Sequence, residues 1–430
     1  MIAGKKIAVL GVIFLGLLAF VYFHEIRGKG EADKQQSEAK KVVQFNADKV
    51  RKIALSRRNE SPTVAVKEGA KWRIIEPVQA VADSTAVDAL LQSLADMSSD
   101  RTLEKVDLGK YGLKSPSVTV TLEEPGKKLV LYFGDKDFSG SNVYLTLDNA
   151  KVEIVPDAAY TKAMAPVSEL RDKTILDFNA DAIDRIEIHR QGDVVELKKQ
   201  KDGWRLARPV PDHADDATVD SLVNSIRYGR IQDFAADSLD QLKKYGLQPP
   251  ALQIVVFAGE KRSELNVGGK SGDNNYAYAA GRTVVFTVPK DVLEKATQPA
   301  EKLLSREVLK FERDKVNKIE ATTEKGKWSV ARKGNRWSVT EPAGNEKKNF
   351  QDSRVLFALE TLRGDRAKNP GALVKPTLVY TLTLSDSTIR VEIFKKGKDW
   401  LARSSQSDKV FQVPEDKVET LNKSIESFLE

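Results

Sequence analysis

Phe45-Asn46-Ala47-Asp48-Lys49-Val50 decides how this chain is built, because it comes back. It returns 133 residues later as Phe178-Asn179-Ala180-Asp181-Ala182-Ile183, and after another 133 as Phe311-Glu312-Arg313-Asp314-Lys315-Val316. Trp72, Trp204 and Trp337 keep nearly the same step, and so do Pro77, Pro209 and Pro342. Self-similarity at a fixed period marks one folding unit per copy. Residues kept by every copy are expected to hold the fold rather than to perform chemistry.

The first two copies agree over almost their full length. Ala82-Asp83, Val87-Asp88 and Leu90-Leu91 match Ala214-Asp215, Val219-Asp220 and Leu222-Val223. Tyr111-Gly112-Leu113 with Pro116 matches Tyr245-Gly246-Leu247 with Pro250, and Gly134 matches Gly268. The third copy keeps the opening and the end but is shorter and lacks Tyr-Gly-Leu. Terminal units of repeat arrays are commonly atypical in this way.

Within a copy, Val50, Ile53 and Leu55, then Val64 and Val66, then Trp72 and Ile74 alternate as short strands do. Asp83 or Ser84 then caps a helix with Val87, Leu90, Leu91 and Leu94 on one face, and Asp215 opens its equivalent. Strands resume through Val118–Phe133 and Tyr144–Ile154. A second helix, from about Asp157 to Leu170, leads into the next copy. Hairpin clusters broken by single helices predict an α+β fold, with tandem units of antiparallel sheet carrying helices on one face. The expected boundaries are a tail 1–6, a transmembrane anchor 7–23, a polar stalk 24–41 and repeat units 42–177, 178–310 and 311–430.

The anchor is read from Ile7 to Phe23, seventeen residues without a charge, Asn, Gln or Pro. Ile7, Phe14, Leu17, Phe20, Tyr22 and Phe23 are its apolar and interfacial residues, and the length is near the lower limit for a spanning helix. A buried core helix would need a polar face. A cleaved signal would need a small-x-small site, and Ala19-Phe20-Val21-Tyr22-Phe23-His24 offers none. An uncleaved single-pass anchor is therefore expected. Lys5 and Lys6 precede the span while Arg27 and Lys29 come after it. A short positive tail before an apolar run places the bulk of the chain outside the cytoplasm, at a bacterial inner membrane.

No cysteine is present, which removes disulfides, thiolate metal sites and a cysteine nucleophile together. The net charge of +7 is uneven: Glu301–Glu430 holds 26 Lys or Arg against 20 Asp or Glu. That basic third suits an anionic lipid, an acidic polymer or an acidic partner, or else a solvated face. No nucleic-acid recognition motif is found, so nucleic acid is not an expected partner.

Chemistry is sparse. The histidines are His24, His189 and His213. His213 precedes Ala214-Asp215-Asp216, but Val81 stands in its place in the first copy, so Asp215 reads as a helix cap rather than a metal ligand. Val267-Gly268-Gly269-Lys270-Ser271 resembles the tail of a phosphate loop. Five residues before Gly269 stands Glu264, not Gly, and Gly272-Asp273-Asn274-Asn275-Tyr276-Ala277-Tyr278 reads as a turn into a strand. No catalytic, cofactor-binding or metal residue is assigned. The tryptophans read as sheet-face packing. Tyr111-Gly112-Leu113 and Tyr245-Gly246-Leu247 read as turns in which Gly takes positive φ and Leu enters the core.

An N-terminal anchor followed by Phe-x-Ala-Asp, Trp-x-[Ile/Leu]-x-x-Pro, Ala-Asp-x-x-x-Val-Asp and Tyr-Gly-Leu-x-x-Pro resembles the bacterial family called domain of unknown function 4340. The resemblance covers the chain from Phe45 onward. It implies an envelope auxiliary component associated with ABC-type exporters, including those related to gliding motility, and it brings no catalytic residues. The expected function is thus a non-enzymatic scaffold or accessory subunit meeting membrane transporter subunits. The alternatives are a module binding an envelope polysaccharide or lipid, and a carboxylate-based hydrolase.

Overall fold

The computed structural model describes residues 41–334, 336–345, 352–373 and 375–429. The anchor Ile7–Phe23 and all of the stalk but Lys41 lie outside the described residues. Among those described, no helix is long and apolar enough to cross a membrane.

The chain gathers into two compact units. One holds the described residues up to Phe178, with Ser225–Gln253 and Ser263–Leu293. The other holds Asn179–Asn224, Ile254–Arg262 and the described residues from Glu294 on. The described residues form three mostly antiparallel sheets. Counted along the chain, the strands of the first sheet lie in the order 4-3-2-1-6-7-8-9-5. The second repeats that order, and among the described residues the third repeats it without the short outermost strand.

The first sheet shows why. Lys52–Arg57 buries Ile53 and Leu55 on one face and pairs with Thr63–Glu68 on one side and Val118–Glu124 on the other. The helix Ser84–Ala95 starts where Asp83 accepts from the amides of Thr85 (3.0 Å) and Ala86 (3.2 Å). Val87, Leu90, Leu91 and Leu94 are all buried, the i, i+3, i+4, i+7 stripe of a helix lying on a sheet. They share one core with Trp72, Ile74, Leu131 and Phe133. Each such side chain contributes about 1.5–3 kcal/mol on burial.

The helix expected from Asp157 to Leu170 is two, Ala158–Ala163 and Val167–Leu170. Pro166 separates them, since it lacks an amide hydrogen and disfavours helical backbone at the residue before it.

The connecting segments between copies are themselves hydrogen-bonded like strands. Asp83 N–H donates to Leu170 O (2.8 Å), Asp172 N–H to Val81 O (2.9 Å) and Ile231 N–H to Lys173 O (2.8 Å). In the second unit, Asp215 N–H donates to Leu303 O (2.8 Å), Ser305 N–H to His213 O (2.9 Å) and Gly364 N–H to Arg306 O (2.8 Å). The pattern is the same one, built twice.

Candidate functional site

The recurrent residues occupy matching places. Trp72 and Trp204 are 1% and 4% exposed, while Trp337 is half-buried against the third core. Each lies opposite a cation on the neighbouring strand: Lys67, Lys199 and Arg332. The Trp72 indole donates to Asp88 Oδ1 at 2.9 Å, which explains the aspartate after Val87. Its backbone amide donates to Ser84 Oγ, and that of Trp204 to Asp216 Oδ1. Pro77, Pro209 and Pro342 are exposed and cis, each coming directly after the residue at which its strand pair shifts register. Phe45, Phe178 and Phe311 are half-buried. Behind the first two, Asn46 and Asn179 accept from the amides of Asp48 and Asp181.

The Tyr-Gly-Leu turns lie on the sheet face opposite the helices. Gly134 comes after the core residue Phe133, so its Cβ would point the other way. That Cβ would stand 2.0 Å from Tyr111 O, and one on Gly268 would stand 2.5 Å from Tyr245 O. Tyr111 meets Tyr144 edge-on at 4.7 Å, and Tyr245 meets Tyr276 at 4.9 Å. Gly112 and Gly246 close the turns at φ +70° and +66°, and Leu113 and Leu247 are buried.

Sequence reasoning missed two repeated features. One is the partner pair Tyr144 and Tyr276. The other is an arginine ending the first strand of each of the first two sheets. Arg57 Nε donates to Ala163 O (2.9 Å) and Arg190 Nε to Ala296 O (3.0 Å), each at a helix C-terminus. Burial pushes the Arg57 guanidinium below its ordinary pKa, against the pull of Glu60. The 133-residue step between these arginines was the available signal.

Two clefts flank the connecting segments, one in each unit. In the second unit a cleft of about 920 Å³ is lined by Trp204, His213, Asp216, Lys310, Arg366 and Phe411 among others. Arg366 donates through Nε to Asp212 Oδ2 (2.9 Å) and through Nη2 to Oδ1 (2.8 Å), over the Phe411 ring at 4.1 Å. Such a fork on a carboxylate is a strong ion pair. Arg363 pairs with Glu307 (3.0 Å). Arg205, hydrogen-bonded to Asp202 at 3.0 Å, holds that carboxyl below the usual carboxylate range. Each arginine of this cleft thus holds a carboxylate, Arg205 that of Asp202, Arg363 that of Glu307 and Arg366 that of Asp212. Arg205 Nε and Arg366 Nη1 have no hydrogen-bond partner among the described residues.

The first unit's cleft is smaller, about 180 Å³, and has Arg73, Gln79, Ala80, Arg171, Asp172 and Arg282 in its walls. Arg171 is 4% exposed, stacked 3.7 Å from the Phe234 ring, with Nη1 on Asp237 Oδ1 at 2.7 Å. Arg282 reaches Asp172 Oδ2 (2.5 Å) and Thr174 O (2.6 Å).

No group of three or more His, Asp or Glu fit to hold a metal occurs among the described residues. His213 sits in a two-residue strand opposite Arg205. His189 Nε2 lies 3.1 Å from Glu187. Val267–Ser271 belongs to the strand Lys261–Ser271, and the turn at Gly272 leads straight into the strand Asn274–Ala279, not into a helix.

The family described as Domain of unknown function (DUF4340) matches residues 72–238 and again 204–371, and the chain belongs to it. Both matches open on a recurrent tryptophan. No curated protein matches the chain. Among solved structures, it is similar to a DNA polymerase III subunit beta from Borrelia burgdorferi in complex with a natural product. That likeness has 5% identity, covers 89% of this chain and 95% of that one, and has a TM-score of 0.14. A putative DNA polymerase III beta subunit from Eubacterium rectale ATCC 33656 gives 8% identity, 87% and 93% coverage and a TM-score of 0.13. At such scores neither likeness carries an argument.

Proposed function

We propose that this chain is a single-pass, membrane-anchored, extracytoplasmic scaffold or accessory subunit of an ABC-type export system, with no catalysis of its own. One observation carries the non-enzymatic part of the reading. The residues that the copies share are occupied in packing, capping and turn formation, from Trp72 to Gly268. A chain that spends its recurrent residues on three similar frameworks offers surface rather than a reaction centre. The apolar run Ile7–Phe23 supports the anchor, and the family resemblance supplies the exporter. On this reading the copies 42–177, 178–310 and 311–430 act as successive modules standing off the membrane.

The test is a mild-detergent pull-down through a tag after Glu430, with mass spectrometry, beside reporter fusions at the same end. Membrane transporter subunits should co-purify, and the fusion should be active only outside the cytoplasm. The excess of 26 basic over 20 acidic residues from Glu301 on supports a second reading, a module for anionic lipid or polymer. Binding of a purified anionic glycan, with no transport protein recovered, would replace the first reading by the second. Cytoplasm-only reporter activity would overturn both.

A further inference from the structure

We propose that the small cleft of the first unit is a binding site for a phosphate group, held between Arg73, Arg171 and Arg282. The reason is a difference between the two clefts. In the second unit, His213 pairs across from Arg205 and Asp212 across from Leu206. In the first, Val81 pairs across from Arg73 and Ala80 across from Ile74. Ala80 therefore stands where the second unit has Asp212. There, the Asp212 carboxylate takes both hydrogen bonds of the Arg366 fork. Here the cleft has three guanidinium groups in its walls and no acid at the corresponding position.

The acids that are present leave donors over. Asp172 is engaged by Arg282, and Asp237 by Nη1 of Arg171. Glu68 holds Arg73 from an exposed position, where such a pair is weak and easily exchanged. Arg171 is almost wholly buried, yet its Nε has no acceptor. The second cleft also leaves arginine donors over, Arg205 Nε and Arg366 Nη1. What sets the first cleft apart is the carboxylate missing at Ala80, with the Arg171 Nε donor left to an acceptor from outside the chain. The Phe234 ring fixes the plane of the Arg171 guanidinium at 3.7 Å, so the side chain is ordered before any ligand arrives. Planar forks of this kind match phosphate oxygens, and Gln79, whose Nε2 donates to Ile75 O at 3.0 Å, also lines the cleft. The cleft, at about 180 Å³, exceeds the ~30 Å³ share of one water.

The site stands apart from the exporter reading, and its test does not depend on recovering transport proteins. Full-length protein in detergent is titrated calorimetrically with inorganic phosphate at low ionic strength. Saturable one-site binding is expected, and it should weaken about tenfold in Arg73→Gln, the worth of one charge-assisted hydrogen bond. Arg73 is half exposed at its side chain, so this variant keeps its fold. Ala80→Asp should abolish phosphate binding by supplying the carboxylate that Asp212 supplies in the second unit. Short-chain phosphatidic acid forms the second arm. Tighter binding than inorganic phosphate would assign a lipid headgroup, and equal binding a free phosphate. Failure of both ligands to bind, or binding that both variants leave unchanged, overturns the site.

Discussion

The first sheet and the third fill the same space with different atoms. In the first, Val118 lies opposite Phe133, and the next residue is Gly134. In the third, Leu378 lies opposite Ile393, and the next residue is Phe394. Gly134 is bare so that the Tyr111-Gly112-Leu113 turn can lie against it, and the strand shifts register between Phe133 and Lys136 to admit the turn. The second sheet shifts at the same place, between Val267 and Lys270. The third sheet has no Tyr-Gly-Leu. Its pairing runs without a shift from Val391 to Lys396, and Phe394, 4% exposed, lies opposite Leu401. A missing motif is therefore compensated by a ring, and the degenerate copy is a repacked one. The arginine clamp is also absent there: Thr323 occupies the step that holds Arg57 and Arg190.

The comparison breaks first at the tryptophans. Trp72→Ala and Trp204→Ala should each cost about 3–5 kcal/mol, because a wholly buried ring leaves a cavity. Trp337→Ala, from a half-buried position, should cost less than half as much. Equal losses would end the claim that the third copy has shifted its packing. Hydrogen exchange, read separately for each sheet, is the right measurement, since a chain of several cores does not unfold in one step.

A second pair of variants tests the exchange of turn for ring. Phe394→Ala should cost about 3 kcal/mol and expose Leu401. Gly134→Ala should cost about 1–3 kcal/mol by driving a methyl into the Tyr111 carbonyl. If Gly134→Ala were neutral, the close approach of that turn would not matter to the sheet. Below these comes Asp83→Ala, at about 1 kcal/mol for a lost helix cap.

The sequence made legible whatever is local or repeated. Asp83 and the stripe Val87–Leu94 announce a helix without reference to the rest of the chain. The recurrence of Trp72 and Trp204 announces a shared core. Features that depend on distant pairing could not be read. That the fifth strand, Arg101–Glu104, lies at the sheet edge beside the ninth is due to contacts with Lys151–Pro156, which no local pattern encodes. An arginine ending a strand, such as Arg57, reads as solvent-facing until the carbonyl it clamps, 106 residues on, is folded against it. The first unit's cleft was hidden for a related reason: Arg73, Arg171 and Arg282 are scattered in sequence and only the fold collects them. The anchor was the clearest local signal and concerns residues outside those described.

The smallest contrast lies at the turn before the first strand of each copy. Asn46 Oδ1 accepts from Asp48 N–H at 3.0 Å and Asn179 Oδ1 from Asp181 N–H at 3.2 Å. Glu312, in the third copy, makes no such cap and instead takes a hydrogen bond from Lys315 Nζ at 2.8 Å. Asn46→Ala should cost about 0.5–1 kcal/mol, the low end for a capping side chain at an exposed turn. Glu312→Asn should gain less than that, because it adds the cap but gives up the lysine. The hydrogen bond from Lys315 to Glu312 raises the Lys315 pKa above its ordinary value. A raised folded-state pKa stabilises at neutral pH, where lysine is charged in both states, and the benefit disappears as pH climbs through the lysine range. The advantage of Glu312→Asn over the parent should therefore widen in alkaline solution and shrink at neutral pH. Thermal melts of the two proteins across that range decide it: an advantage that stays constant with rising pH would mean that the third copy's turn owes nothing to Lys315.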